Sequence, residues 1–267
     1  MIGCTRMYNL NPEVAALWKR LLTSVATRAG TQLEVIDHPA PAPLSQLWSR
    51  ADMGCVFMCG WPFRLSSAGI QIVAAPIPKD GPCEGATYCT NFVVRRDTAF
   101  KTLEDTFGGR IAWTDEASHS GFNAPRRHLM DLRGARSRLY RESIGPLVTP
   151  RASLKSILEG QADVAPLDSY FHALLDRHEP ALAAQVRVVA RTDCAPIPPL
   201  VAAGSIPVEA VRRLGNELVR AAGEPALRPL FDELCLERFA VIDDPEVYGL
   251  AERWDADARA AGYLLPS

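Results

Sequence analysis

The chain lacks any apolar run approaching the ~18 residues of a membrane span, and it has no block of Lys or Arg. With 29 basic against 31 acidic residues the formal net charge is −2, so no nucleic-acid or anionic-membrane partner is expected and a ligand must be attracted locally. No Gly-rich dinucleotide loop and no P-loop is present, and neither repeats nor low-complexity segments occur. The nucleophile elbow G-x-S-x-G is missing as well, because Ser118 and Phe122 stand where its two glycines belong, which argues against Ser120 as a nucleophile. The seven cysteines are odd in number and scattered. That pattern favours free thiols in a reducing compartment, and the spacings of Cys55 to Cys59 and Cys83 to Cys89 do not make a pair of zinc knuckles. The opening MIGCTRMYNLNPEV has no basic region leading into an apolar run and a cleavage site. The expected location is therefore the cytoplasm if the chain is complete as given, and an exported one if a leader was trimmed.

What is present is an ordinary globular composition, 267 residues with 48% hydrophobic and 22% charged, long enough for two small lobes. One stretch stands out, IAWTDEASHSGFNAPRR at 111–127. A short strand runs into Asp115 and the cluster Ser118, His119, Ser120, Gly121, and a helix is expected over 122–130. The first turn of a helix leaves N–H groups without intrahelical partners and carries the positive end of the macrodipole, so hydroxyls beside it can surround an oxyanion. Ser118 and Ser120 are equally good N-cap residues, and both readings stand at this level.

The order of elements is that of an α/β protein. Ile2 to Met7 reads as a strand, Asn11-Pro12-Glu13 starts a helix with a cap, a first-turn Pro and an acid, and 33–36 is a second strand, which together make a βαβ unit with an at least partly parallel sheet. Strands are also expected at 53–58 and 70–75, with Trp61 in the tight turn between them, either as a binding wall or as packing. YCTNFVVR at 88–95 reads as one long strand. A second βα series follows, with a strand at 110–113, the Ser-rich turn, a helix from Ala152, a strand at 162–167 and Asp168 where that strand gives way to a helix. Ligands of open α/β sheets sit at the carboxyl ends of strands, so Ser118, Ser120 and Asp168 are candidates to face one crevice. Asp168 is also a good N-cap, and Tyr8 and Tyr88 are either wall or core aromatics. A strand at 186–190, a Pro-rich return at 193–199 and a mostly helical remainder complete the chain.

In this order, Met7-Tyr8, Gly60-Trp61-Pro62, Tyr88 with Val93-Val94-Arg95-Arg96-Asp97, Gly109-Arg110-Ile111-Ala112 leading to Asp115 and Ser118-His119-Ser120-Gly121, and Ala162-Asp163-Val164-Ala165 leading to Asp168 resemble the type II periplasmic binding proteins. The resemblance is closest to the phosphate/phosphite/phosphonate-binding branch of ABC transporter receptors and spans nearly the whole chain. It implies two α/β lobes joined by two crossing strands, each lobe a mixed, mainly parallel sheet flanked by helices: a first lobe of 1–91 with 197–267, and an inserted lobe of 92–196. It implies that Ser118, His119 and Ser120 lie in the anion-holding turn, that Tyr8 and Tyr88 line the opposite wall, and that Asp168 meets a cationic or hydroxyl group of the ligand. The branch often places a His before the helix starting here at Ala152, whereas this chain has Thr149-Pro150-Arg151; Arg151 can replace the imidazole with a bidentate fork. The implied function is capture of a small oxyanion in an inter-lobe cleft, as a monomer without metal or cofactor, for an ABC transporter permease. An enzyme or sensor retaining the fold is the alternative.

Overall fold

The computed structural model describes residues 1–66 and 69–267, and the chain divides into two compact units. Unit 1 is Met1–Thr87 with Pro196–Val247, and unit 2 is Tyr88–Ala195 with Tyr248–Ser267.

Unit 1 is built on a six-stranded sheet. Its spatial order is Leu236–Ala240, Gln71–Pro78, Leu200–Ala202, Met53–Phe57, Ile2–Cys4 and Glu34–Val35. The three strands that come first in the chain pair in parallel, as a βαβ order requires, while Leu200–Ala202 runs antiparallel between Met53–Phe57 and Gln71–Pro78. The intervening helix, Pro12–Arg28, starts where its sequence says it should: the Asn11 side chain accepts from the Val14 amide at 2.9 Å, ahead of Pro12. Val14, Trp18, Leu21, Leu22 and Val25 are its buried stripe.

The helix Val208–Ala221 lies so close to the sheet that a Cβ on Gly215 would sit 2.4 Å from the Val73 carbonyl oxygen. Neither partner is a flexible side-chain tip. Gly215→Ala is therefore expected to destabilise the protein by about 1–3 kcal/mol, the usual cost of overpacking, read as a lower melting temperature in calorimetry. An unchanged melting temperature would show that the helix can lift away freely.

Unit 2 has a three-stranded antiparallel sheet, Val186–Arg191, Thr90–Arg95 and Ala165–Asp168, and a parallel pair, Arg110–Ala112 with Glu142–Ile144. A parallel bridge from Ile111 to Val164 ties the second group to the first. Its core gathers Phe92, Val94, Ile111, Leu129, Leu139, Tyr140, Val164 and Tyr263.

Tyr263 marks a difference from the expected lobes. The C-terminal segment 248–267, placed by the sequence reading with the first lobe, packs with unit 2. Its helix, Gly249–Ala260, is held by Asn123 and Arg126, and its tail by Arg133, whose guanidinium donates to the Ala261 carbonyl and lies over the Tyr263 ring. The cysteines also differ from the expected set of free thiols. Cys83 and Cys194 are each half-cystines, while Cys4, Cys55, Cys59, Cys89 and Cys235 are free thiols. Pairing of half-cystines depends on tertiary geometry, which spacing along the chain does not reveal. Among the described residues no helix is long and apolar enough to cross a membrane.

Candidate functional site

The strand Arg110–Ala112 ends at the buried pair Trp113 and Thr114, and the chain then turns through 115–118 into a helical segment. Asp115 shapes the turn: its carboxylate accepts from the Ala117 amide at 2.8 Å and its carbonyl from the Ser118 amide at 2.9 Å. The helix expected over 122–130 begins earlier and differently. His119–Asn123 forms a π-helical turn that continues into the α-helix Ala124–Arg133. Asn123 and Ala124 donate five residues back, to Ser118 and His119. Pro125 has no N–H with which to continue that pattern to Ser120, and the Ser120 carbonyl accepts instead from the Thr90 hydroxyl at 2.9 Å. Short π-helical turns of this kind are frequent at functional sites.

Ser118 is the N-cap, its hydroxyl oxygen accepting from the Gly121 amide at 2.9 Å. Ser120 is half-buried, and neither its amide nor its hydroxyl has a hydrogen-bond partner among the described residues. Thr114 adds a hydroxyl missed by the sequence reading. Its Oγ1 is buried without a hydrogen-bond partner among the described residues, and it reaches so close to the turn that a Cβ on Gly121 would lie 1.8 Å from it. Only glycine fits at 121, and the side chain at 114 is pressed against the backbone of the turn. The Thr114 amide also donates to the Gly121 carbonyl at 3.2 Å.

On the other side of Thr114, its carbonyl accepts from the Val148 amide at 2.7 Å, and the Thr149 amide closes a γ-turn on the Leu147 carbonyl at 2.8 Å. Val148 sits at φ 68°, a region a β-branched residue rarely enters, so the chain stores strain immediately ahead of the Thr149-capped helix Pro150–Leu158. Two helix starts thus flank one threonine at the end of one strand.

His119 is buried at 2% exposure, and burial pulls its imidazole down to about 4, so the ring is neutral at physiological pH. It stacks on Trp254 with centroids 5.3 Å apart and lies 6.3 Å from the Tyr88 ring, itself buried. Asp168 is buried and caps the helix Ser169–His178, accepting from the amides of Tyr170 and Phe171 at 2.8 and 3.0 Å. Arg151 is exposed on the first turn of its helix and pairs with Glu179 at 2.5 Å. In unit 1, Tyr8 is buried in a short turn of 3-10 helix, edge-on to Phe57 at 4.9 Å, and Trp61 is buried in the helix Gly60–Leu65. Unit 2 therefore gathers Thr114, Ser118, His119 and Ser120 at one strand end. No signal in the local sequence could have singled out Thr114, since its role follows from contact with Gly121. Among the described residues no cluster of three or more His, Cys, Asp or Glu is placed to hold a metal ion.

Hydroxyls and the Ser120 amide at a helix start suit an anion. The family model described as ABC transporter, phosphonate, periplasmic substrate-binding protein matches residues 8–248. No curated protein sequence matches the chain. Among solved structures, a binding protein component of an ABC phosphonate transporter from Pseudomonas aeruginosa superposes with a TM-score of 0.79 at 15% identity, over 98% of this chain and 86% of that one. PhnD1 from Prochlorococcus marinus, solved in complex with methylphosphonate, gives 0.77 at 14% identity over 97% of each chain. The XAC2383 protein from Xanthomonas citri, bound to chloride, gives 0.67 at 18% identity over 98% and 97%. At such identities the structures speak for the fold alone, a two-lobed α/β periplasmic-binding-protein fold. Because the family model covers most of the chain, the protein belongs to the phosphonate-binding periplasmic substrate-binding proteins of ABC transporters, a family of binding proteins and not of enzymes.

Proposed function

We propose that the protein captures a small phosphonate- or phosphate-like oxyanion with the turn 118–121 and delivers it to an ABC transporter permease. The observation that carries this reading is Ser120, whose amide and hydroxyl have no partner among the described residues at the start of a helical segment running from His119 to Arg133. Those donors, the uncommitted proton of the Ser118 hydroxyl and the positive end of the helix replace water around the anion. Bonds from neutral donors to a full negative charge are worth about 1.5–3 kcal/mol each. His119, held neutral, serves in this reading as an uncharged wall and donor, and Tyr88 as an aromatic wall beside it. Asp168 keeps its capping role and is the acid nearest in kind to what a cationic ligand tail would seek. Arg151, committed to Glu179, attracts the anion at longer range. The ligand's own identity within this class, a monomeric state and the permease are parts of the same proposal. So is a periplasmic location, which the disulfide-bonded Cys83 and Cys194 favour, since such bonds persist where the surroundings are oxidising.

Titration calorimetry with methylphosphonate and with inorganic phosphate tests the reading. Ser120→Ala is expected to weaken whichever anion binds by roughly 10- to 100-fold, the equivalent of one charge-assisted hydrogen bond, with an unchanged melting temperature. A Kd within twofold of the unsubstituted protein would remove Ser120 from the site and the reading with it.

A further inference from the structure

The helix Gly249–Ala260 lies beyond the residues that the family model matches, 8–248, yet it is wired into the anion turn. Three buried side chains make the connection. Arg126 is 1% exposed and donates from Nη2 both to Asp255 Oδ1 and, at 3.2 Å, to Asn123 Oδ1. Asn123 is wholly buried, and its Nδ2 donates to the Ala251 carbonyl at 2.7 Å and reaches His119 Nδ1 at 3.2 Å. The chemistry of the partners fixes the orientation of this amide: Arg126 can only donate, so Oδ1 must face it, and the Ala251 carbonyl can only accept, so Nδ2 must face that. His119 Nδ1 is then an acceptor, which leaves the ring proton on Nε2. The same imidazole stacks on Trp254 at 5.3 Å with 19° between the planes. Asp255 is itself steadied by Arg259 at 2.7 Å.

We propose that the C-terminal helix positions the anion turn, through the chain Asp255, Arg126, Asn123, His119 and through the Trp254 ring. The inference rests on the reading that the turn 118–121 binds the anion. His119 and Asn123 are the first and last residues of the π-helical turn, so both of its ends are gripped from one helix, while Thr90 holds its middle through the Ser120 carbonyl. A π-turn is rarely stable by itself, and fixed donors bind an anion well only if they need not be reoriented when it arrives. Asp255, Arg126, Asn123 and Trp254 are positioning residues and need not touch the ligand.

The test uses the full chain, with methylphosphonate and inorganic phosphate as probes in calorimetry, thermal melting, and amide hydrogen exchange. Asp255→Ala is expected to weaken the anion that binds at least tenfold and to speed exchange at the amides of 118–124, with those of Met53–Phe57 in unit 1 unchanged. Asp255→Glu, which restores a carboxylate for Arg126, is expected to recover part of the affinity. Trp254→Leu removes only the stacked ring, and at least threefold weaker binding is expected with the melting temperature retained. If Asp255→Ala does not fold, Trp254→Leu decides. Affinities within twofold for Asp255→Ala or, failing that, for Trp254→Leu would overturn the positioning role when Ser120→Ala, run in parallel, does weaken binding. If Ser120→Ala has no effect, the anion turn itself is misassigned and this inference falls with it.

Discussion

Gly121→Ala is expected to abolish measurable anion binding. The new methyl would fall 1.8 Å from Thr114 Oγ1 and 2.9 Å from both Thr114 Cβ and Ser118 Oγ. Rotating the Thr114 side chain relieves the first contact but not the second, because its Cβ cannot move without the strand that carries it. The turn must therefore shift, and the Gly121 amide and carbonyl are the groups that bond Ser118 and Thr114. A displacement of even ~1 Å at such a site costs on the order of a hundredfold where alignment matters. Overpacking adds about 1–3 kcal/mol of instability. Calorimetry with methylphosphonate and a melting curve separate the two effects, and an alanine variant that binds normally would mean that the close approach of Thr114 is dispensable.

The second large effect concerns acid. His119 titrates near 6.5 when the chain is unfolded and at about 4 in the folded protein, because burial disfavours the imidazolium. The unfolded chain thus binds the proton first, and stability rises with pH over that interval. The contribution of the neutral buried ring is fully present above pH 6.5, is lost as pH falls toward 4, and levels off below. A separation of that size is worth roughly 3 kcal/mol. His128 and His172 are lowered as well, again chiefly by burial, and pull in the same direction. The loss of stability between pH 7.5 and 4.5, measured by denaturant unfolding, is expected to be smaller in His119→Gln, whose amide cannot titrate. Equal losses in the two proteins would show that His119 is solvated or free to leave its place when charged.

Much of this molecule could be read from local patterns. Asn11-Pro12 marks a helix start, and the strand Arg110–Ala112 followed by a hydroxyl-rich turn marks a Ser-capped helical start, because caps and turns involve residues at most a few positions apart. The order of such pieces carried the family resemblance. Boundaries were less faithful: the strand beginning at Ile2 stops at Cys4 because Arg6–Tyr8 turns into a 3-10 helix, and the expected α-helical start at Phe122 lies inside a π-turn that Pro125 prevents from continuing.

The sequence by itself determined the α/β order, the Ser-rich turn at a strand end and the glycine within it, since each depends on neighbours along the chain. Only the tertiary structure decided that Thr90 completes Ser120 from 30 residues away, and that Asn123 and Arg126 reach Ala251 and Asp255 over 128 and 129 residues. Such contacts are chosen by packing, where a single donor can be met by any acceptor the fold brings near, and no periodicity in the chain records which one that will be.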